Sequence, residues 1–152
     1  MTIESTPTPP LSLLDALHRY VDARTAALTS ARRALKVNEL DARALLYIAN
    51  NTGTRPGNLR DYLGITSAGV TTLIDRLVGR NAVRRDVDAD DRRVNRISVI
   101  VDLDAEPWSA LTRFDVAFAK AVAQSGADDT GRLARELDAL TSLAALPAAA
   151  ER

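Results

Sequence analysis

Two clusters in the 152-residue chain carry groups that can do intermolecular chemistry. The first is T-S-A-G-V-T-T, in which Thr66, Ser67, Ala68, Thr71 and Thr72 offer hydroxyls and methyls on short side chains. Groups of that size can meet the edges of stacked bases without holding the backbone away from a groove. The second is Asp91-Arg92-Arg93. Two adjacent guanidinium groups at a polar tip suit a phosphate or a narrow minor groove, where negative potential is concentrated, and Asp91 is placed to brace one of them. Arg55 and Arg84, together with Arg60, Arg80 and Arg85, are further phosphate candidates. Arg76 stands one residue before apolar Leu77 and is as ready to pair with Asp75 or Asp61 as with an external anion.

These are binding groups and not a catalytic set. No Ser/His/Asp arrangement and no Gly-rich phosphate loop is present. Asp90-Asp91 and Asp128-Asp129 read as turn and cap residues, because no nucleophile or base is placed beside either pair. His18 is the single histidine and has no second His or Cys at ligand spacing, so no metal, no cofactor and no enzymatic activity is expected.

The elements that must position the first cluster can be read from local signals. Pro56 suits the first position of a short helix, where its missing N–H is not needed, and Gly64 stops that helix. Thr66 is a favoured N-cap for the next one. There Val70, Leu73, Ile74 and Leu77 recur at three- and four-residue spacing and form a buried stripe, which leaves Ser67, Ala68, Thr71 and Thr72 on the opposite face. Asn81 ends the helix by adopting the left-handed conformation common past a C-terminus. The runs Ala82 to Asp86 and Asn95 to Val101 read as two strands. The V-D-A-D-D-R-R between them is too polar to bury and reads as an extended hairpin loop, a wing. Thr54-Arg55 is expected to add a minimal third strand.

This order of helix, turn, helix and wing resembles the MarR family of bacterial transcriptional regulators. The resemblance rests on Leu59, Leu63-Gly64, Thr66-Ser67, Val70-Thr71, Leu73 to Leu77, Val83, Arg85, Asp88 and Asp91 to Arg93, and it covers about the central third of the chain. Departures stand at Arg60, at Asn81 and in the run V-I-V-D-L-D-A-E-P-W after the wing. The resemblance implies a homodimer on double-stranded DNA, a repressor on a pseudo-palindromic operator. It also implies release by a small aromatic or anionic ligand, in a crevice that would involve His18, Arg43, Tyr47 and Trp108. The other functional class open to these residues is a winged-helix module that binds protein and not DNA.

Charge distribution agrees with a nucleic-acid partner. The chain is neutral overall, yet nine Arg and six Asp lie between Thr54 and Arg96, which leaves that stretch at +3 and the remainder at −3. With no cysteine there is no disulfide and no thiol switch, which excludes the peroxide-sensing branch of the family. No run approaches the roughly 18 apolar residues of a membrane helix, and no signal-peptide pattern opens the chain. No membrane partner and a cytoplasmic location are expected.

The flanks complete the plan. Residues 1–10, with three prolines, form an arm. From Leu11 to Leu35 a helical stripe follows, with Ser12 and Asp15 as a capping box, longer than one winged lobe needs to cover. Asn38 and Asp41 frame the start of another helix. Asp104 is expected to cap a helix from Ala105 to about Gln124, with Pro107 tolerated in its first turn. Leu133, Leu137, Leu140 and Ala144 then follow a 4-3-4 spacing suited to packing against another subunit. The expected fold is mainly α with a small β-hairpin: a winged helix-turn-helix flanked by N- and C-terminal dimerisation helices. The arm precedes a single domain over 11–152, in which 38–101 is the DNA-binding lobe and 11–35 and 104–146 are the dimerisation helices.

Overall fold

Helix starts follow the side chains able to accept an unpaired backbone N–H. The computed structural model describes residues 12–87 and 95–145. Helix α1 (Leu13–Leu35) begins where Ser12 Oγ accepts from the Asp15 N–H at 3.1 Å. Helix α2 (Glu39–Asn50) begins where Asn38 Oδ1 accepts from the Asp41 N–H at 2.8 Å. Helix α3 (Pro56–Leu63) has proline in its first turn and stops at Gly64, whose φ of 65° is left-handed. Helix α4 (Ser67–Gly79) begins where Thr66 Oγ1 accepts from the Gly69 N–H at 3.1 Å. Each such cap contributes about 1 kcal/mol.

Past α4, Asn81 takes the expected left-handed conformation, with φ 53°. Its N–H donates to the Val78 carbonyl, and that of Ala82 to Leu77, each at 2.9 Å. The chain thereby turns directly into strand β1 (Val83–Val87), which pairs antiparallel with β2 (Asn95–Val99) in the register Val83 to Val99, Arg85 to Ile97 and Val87 to Asn95. The expected third strand is a single bridge: the Ile97 N–H donates to the Thr54 carbonyl at 2.8 Å, and Arg55 takes no part in the pairing. That bridge ties the hairpin to the start of α3.

One core holds these elements. Leu45 and Ile48 of α2, Leu59 and Leu63 of α3, and Val70, Leu73, Ile74 and Leu77 of α4 are buried with Ala82, Val83, Ile97 and Leu111. The four α4 residues are the stripe predicted from spacing, and burying each such side chain stabilises the fold by roughly 1.5–3 kcal/mol.

The helix expected from Ala105 to Gln124 is broken. A 3-10 turn (Trp108–Leu111) and helix α5 (Arg113–Gln124) stand in its place, followed by α6 (Ala127–Ala144). Asp104 caps nothing here. Its N–H is the donor to Asp102 Oδ1 at 2.8 Å, so Asp102 folds the chain into a local turn before a helix can start. Pro107 precedes the 3-10 turn and so lies outside any α-helix. The Thr112 hydroxyl donates to the Leu103 carbonyl at 2.9 Å and closes the link on itself, with Leu111 buried beneath.

Contacts divide the chain into two units, one up to Phe114 and one from Asp115 on. In the first, α1 packs on the 3-10 turn and Tyr20 meets Phe114 with ring centroids 5.6 Å apart. The N-terminal half of α1 leaves Leu13, Leu14 and Val21 exposed. In the second unit Val116, Phe118 and Val122 of α5 and Leu133, Leu140 and Leu143 of α6 are exposed. Among the described residues no helix is long and apolar enough to cross a membrane.

Candidate nucleic-acid interface

The side of α4 opposite its core stripe is open to solvent. Thr66, Ser67, Ala68, Thr71 and Thr72 are all exposed, as the 3.6-residue period requires once Val70, Leu73 and Ile74 face inward. Their hydroxyls are not equivalent. Thr66 spends its acceptor on the cap. Thr71 donates to the Ser67 carbonyl and Thr72 to the Ala68 carbonyl, each at 3.1 Å. With that hydrogen committed to the helix, both threonines present an oxygen lone pair and a methyl outward. They can accept from the amino groups of adenine or cytosine, or pack on a thymine methyl.

The cations around this face are mostly held by partners. Arg84, 64% exposed, lies 3.0 Å from Asp86. Arg85 donates to Asp75 at 2.5 Å, which ties β1 to the middle of α4. Arg60 pairs with its neighbour Asp61 at 2.8 Å. Arg76 pairs with neither Asp75 nor Asp61. It forks onto Asp41, with Nε 3.1 Å from Oδ2 and Nη2 2.6 Å from Oδ1, and this bond is the main reason that its pKa is raised. Arg80 turns back to α1, donating to the carbonyls of Leu35 at 3.3 Å and Lys36 at 2.5 Å. Arg55, exposed at the start of α3, makes no ion pair with another described residue. The wing residues Asp91, Arg92 and Arg93 lie outside the described residues.

Asp86 is held below the ordinary carboxylate value. The Ser98 hydroxyl, donating across the hairpin at 2.8 Å, is the first cause, and Arg84 adds to it.

The MarR family model matches residues 35–94, which run from the end of α1 through the wing. Over these residues the chain is similar to the MarR family. Solved structures extend the likeness in fold to the helices around the matched residues. A MarR-like transcriptional regulator from Thermotoga maritima aligns with a TM-score of 0.62 at 20% identity, over 93% of this chain and 99% of its own. A point mutant of S. aureus MepR bound to an oligodeoxyribonucleotide gives 0.56 at 18% identity, over 87% of this chain and 99% of its own. S. aureus MepR bound to ethidium bromide gives 0.60 at 16% identity, over 90% and 99%. At these identities what is shared is the fold. A sequence search of curated proteins returns no match.

A cleft of about 390 Å³ opens between α1, α2 and the end of α3. Arg43 and Tyr47, expected together in a crevice, both line it. His18 and Trp108 do not. His18 is exposed six residues before Arg24, the first α1 residue to reach the cleft, and Trp108 is half-buried against the core. Tyr62, missed in the sequence, stacks on Tyr47 with centroids 4.2 Å apart, and the Arg43 guanidinium lies 5.5 Å from the Tyr62 ring centre. Tyr62 stands three residues after Leu59, at the spacing of an ordinary core position, so its type and place did not mark it as a cleft residue. Arg32 and Glu39, paired at 2.9 Å, form another side of the cleft.

Proposed function

We propose that the chain is a sequence-specific, double-stranded DNA-binding transcriptional regulator. One observation carries this reading: the small hydrogen-bonding residues Ser67, Ala68, Thr71 and Thr72 form the exposed face of a helix whose other face is locked into the core by four buried apolar side chains. Rigid support with a small, solvent-facing surface is what insertion into a major groove requires. Thr66 orients the start of that helix, Arg55 and Arg84 face phosphates beside it, and Arg92 and Arg93 reach a neighbouring minor groove or phosphate with Asp91 bracing one of them. The chain acts as a cytoplasmic homodimer through α1, α5 and α6, whose exposed apolar side chains support a partner surface. It represses from a pseudo-palindromic operator. A small aromatic or anionic ligand releases it, binding beside Arg43 and Tyr47, where rings and guanidinium groups meet.

Selection from a random pool of duplexes tests this. A two-fold symmetric site with half-sites about one helical turn, roughly 10 base pairs, apart is the expected outcome. Failure to enrich any sequence would contradict it. The internal pairing of Arg60, Arg76, Arg80, Arg84 and Arg85 favours a second reading, a winged-helix module that contacts protein and not DNA. Salt separates the two, because each neutralised phosphate adds close to one unit to the log–log slope of affinity against salt.

A further inference from the structure

We infer that Arg76 and Arg80 are positioning residues, which aim the reading end of α4 by clamping its last turns to the corner between α1 and α2. This rests on the DNA-reading role proposed for α4. Arg76 stands in the last turn of that helix and Arg80 is its C-cap; Arg76 reaches Asp41 in the first turn of α2, and Arg80 reaches the end of α1.

The two grips differ in chemistry. Asp41 is only 2% exposed, and its carboxylate is already oriented by the Asn38 amide, which donates to Oδ2 at 3.0 Å. Arg76 meets it with two parallel bonds, which fixes angle as well as distance. Arg80 instead takes the free carbonyls at the end of α1. Those carbonyls are the negative pole of that helix and have no acceptor role within it. Lys36 stands there in a left-handed conformation, φ 53°, which turns its carbonyl out of the helix. In the same corner Arg32 pairs with Glu39. The last turns of α4 are therefore held at two points on one rigid corner.

The lever arm makes this matter for recognition. From Arg76 to Ser67 is nine residues, or roughly 13 Å of helix at about 1.5 Å per residue. A tilt of about 10° at the clamp moves the reading end by roughly 2 Å, enough to break a hydrogen bond whose tolerance is a few tenths of an ångström. Stripe packing resists such a tilt, but an apolar contact is non-directional, whereas a forked guanidinium–carboxylate pair is not. The sequence offers Arg76 and Arg80 as cations beside a DNA-reading helix, so the natural competing role is direct phosphate contact.

The test measures the tightest duplex from the random pool and a scrambled duplex, across a salt series, for wild type, Asp41→Asn, Arg76→Met and Arg80→Met. Concentrations are corrected by active-site titration, and folding is checked by circular dichroism. Arg80→Met changes an exposed side chain and keeps the assay informative if Arg76→Met does not fold. The expected result is a fall of about fivefold or more in the ratio of specific to scrambled affinity, the equivalent of one lost base contact, with the salt slope unchanged. A slope lower by close to 0.9 in the arginine variants would make them phosphate contacts and overturn the inference. An unchanged ratio in folded variants would make the clamp merely structural and also overturn it. If wild type itself selects no sequence, the DNA-reading role falls first and the clamp's role in it falls too.

Discussion

Truncating Leu140 to alanine separates a monomeric chain from the proposed dimer. Leu140 is 52% exposed on α6, in the same stripe as Leu133 and beside Leu143, both exposed as well. In an isolated chain, changing an exposed leucine shifts stability by at most about 0.5 kcal/mol. If α6 packs on a second copy, the exposed half of the side chain becomes buried. Full burial of a leucine is worth roughly 1.5–3 kcal/mol, so the half still open is worth about 0.8–1.5. Two copies contribute in a symmetric dimer, for a total of about 1.5–3 kcal/mol. At about 1.4 kcal/mol per factor of ten, the dimer dissociation constant should rise roughly 10- to 150-fold. Sedimentation equilibrium reads this directly. Urea denaturation at two protein concentrations supplies a second readout, since a dimer's midpoint moves with concentration. A chain that is monomeric at micromolar concentration, or a dissociation constant that moves less than threefold in Leu140→Ala, would refute the reasoning.

Three other outcomes follow from the geometry. Thr66→Ala removes the acceptor that the Gly69 N–H uses and should destabilise the fold by about 1 kcal/mol, seen as a lower urea midpoint with unchanged m-value. Asp86 should titrate below its ordinary value of 3.8, because Ser98 and Arg84 favour its charged form. A carboxylate depressed in this way stabilises the hairpin at pH values above 3.8, and the contribution is lost as pH falls through the lowered value. A side-chain NMR titration with a midpoint at or above 3.8 would contradict this. Arg93→Ala should weaken DNA binding on all sequences and lower the salt slope by about one unit; an unchanged slope would remove the wing from the interface.

What could be read from the sequence was local in its physics. Ser12 with Asp15, Asn38 with Asp41, and Thr66 are cap bonds spanning three residues, and they appear where the spacing placed them. Gly64 and Asn81 stop their helices by the left-handed conformation that their types favour. The four-residue stripe of α4 follows from period alone. What stayed hidden depends on tertiary neighbours. Arg76 and Asp41 are 35 residues apart, Arg80 reaches carbonyls 44 and 45 residues back, and Tyr62 meets Tyr47 only because α2 and α3 pack side by side. The link after the wing was misread for a different reason. Asp104 looks like a cap, but its own N–H is tied back to Asp102 Oδ1, and Pro107 three residues on has no N–H for its carboxylate to accept. The crevice was half legible. Arg43 and Tyr47 share a face at four-residue spacing, but nothing local shows that His18 and Trp108 stay outside it.

The most direct test of the account is to place a carboxylate on the reading face. Thr71 and Thr72 are exposed and engage only their own helix carbonyls, so Thr71→Asp should leave the unfolding free energy from urea denaturation within about 0.5 kcal/mol of wild type. Against DNA the new charge would face base acceptors and phosphates with no counter-ion. Fluorescence anisotropy on the selected duplex should show the specific affinity reduced by about 100-fold or more, the order of 3 kcal/mol. A folded Thr71→Asp protein that binds the same duplex as tightly as wild type would mean that this helix face does not read DNA.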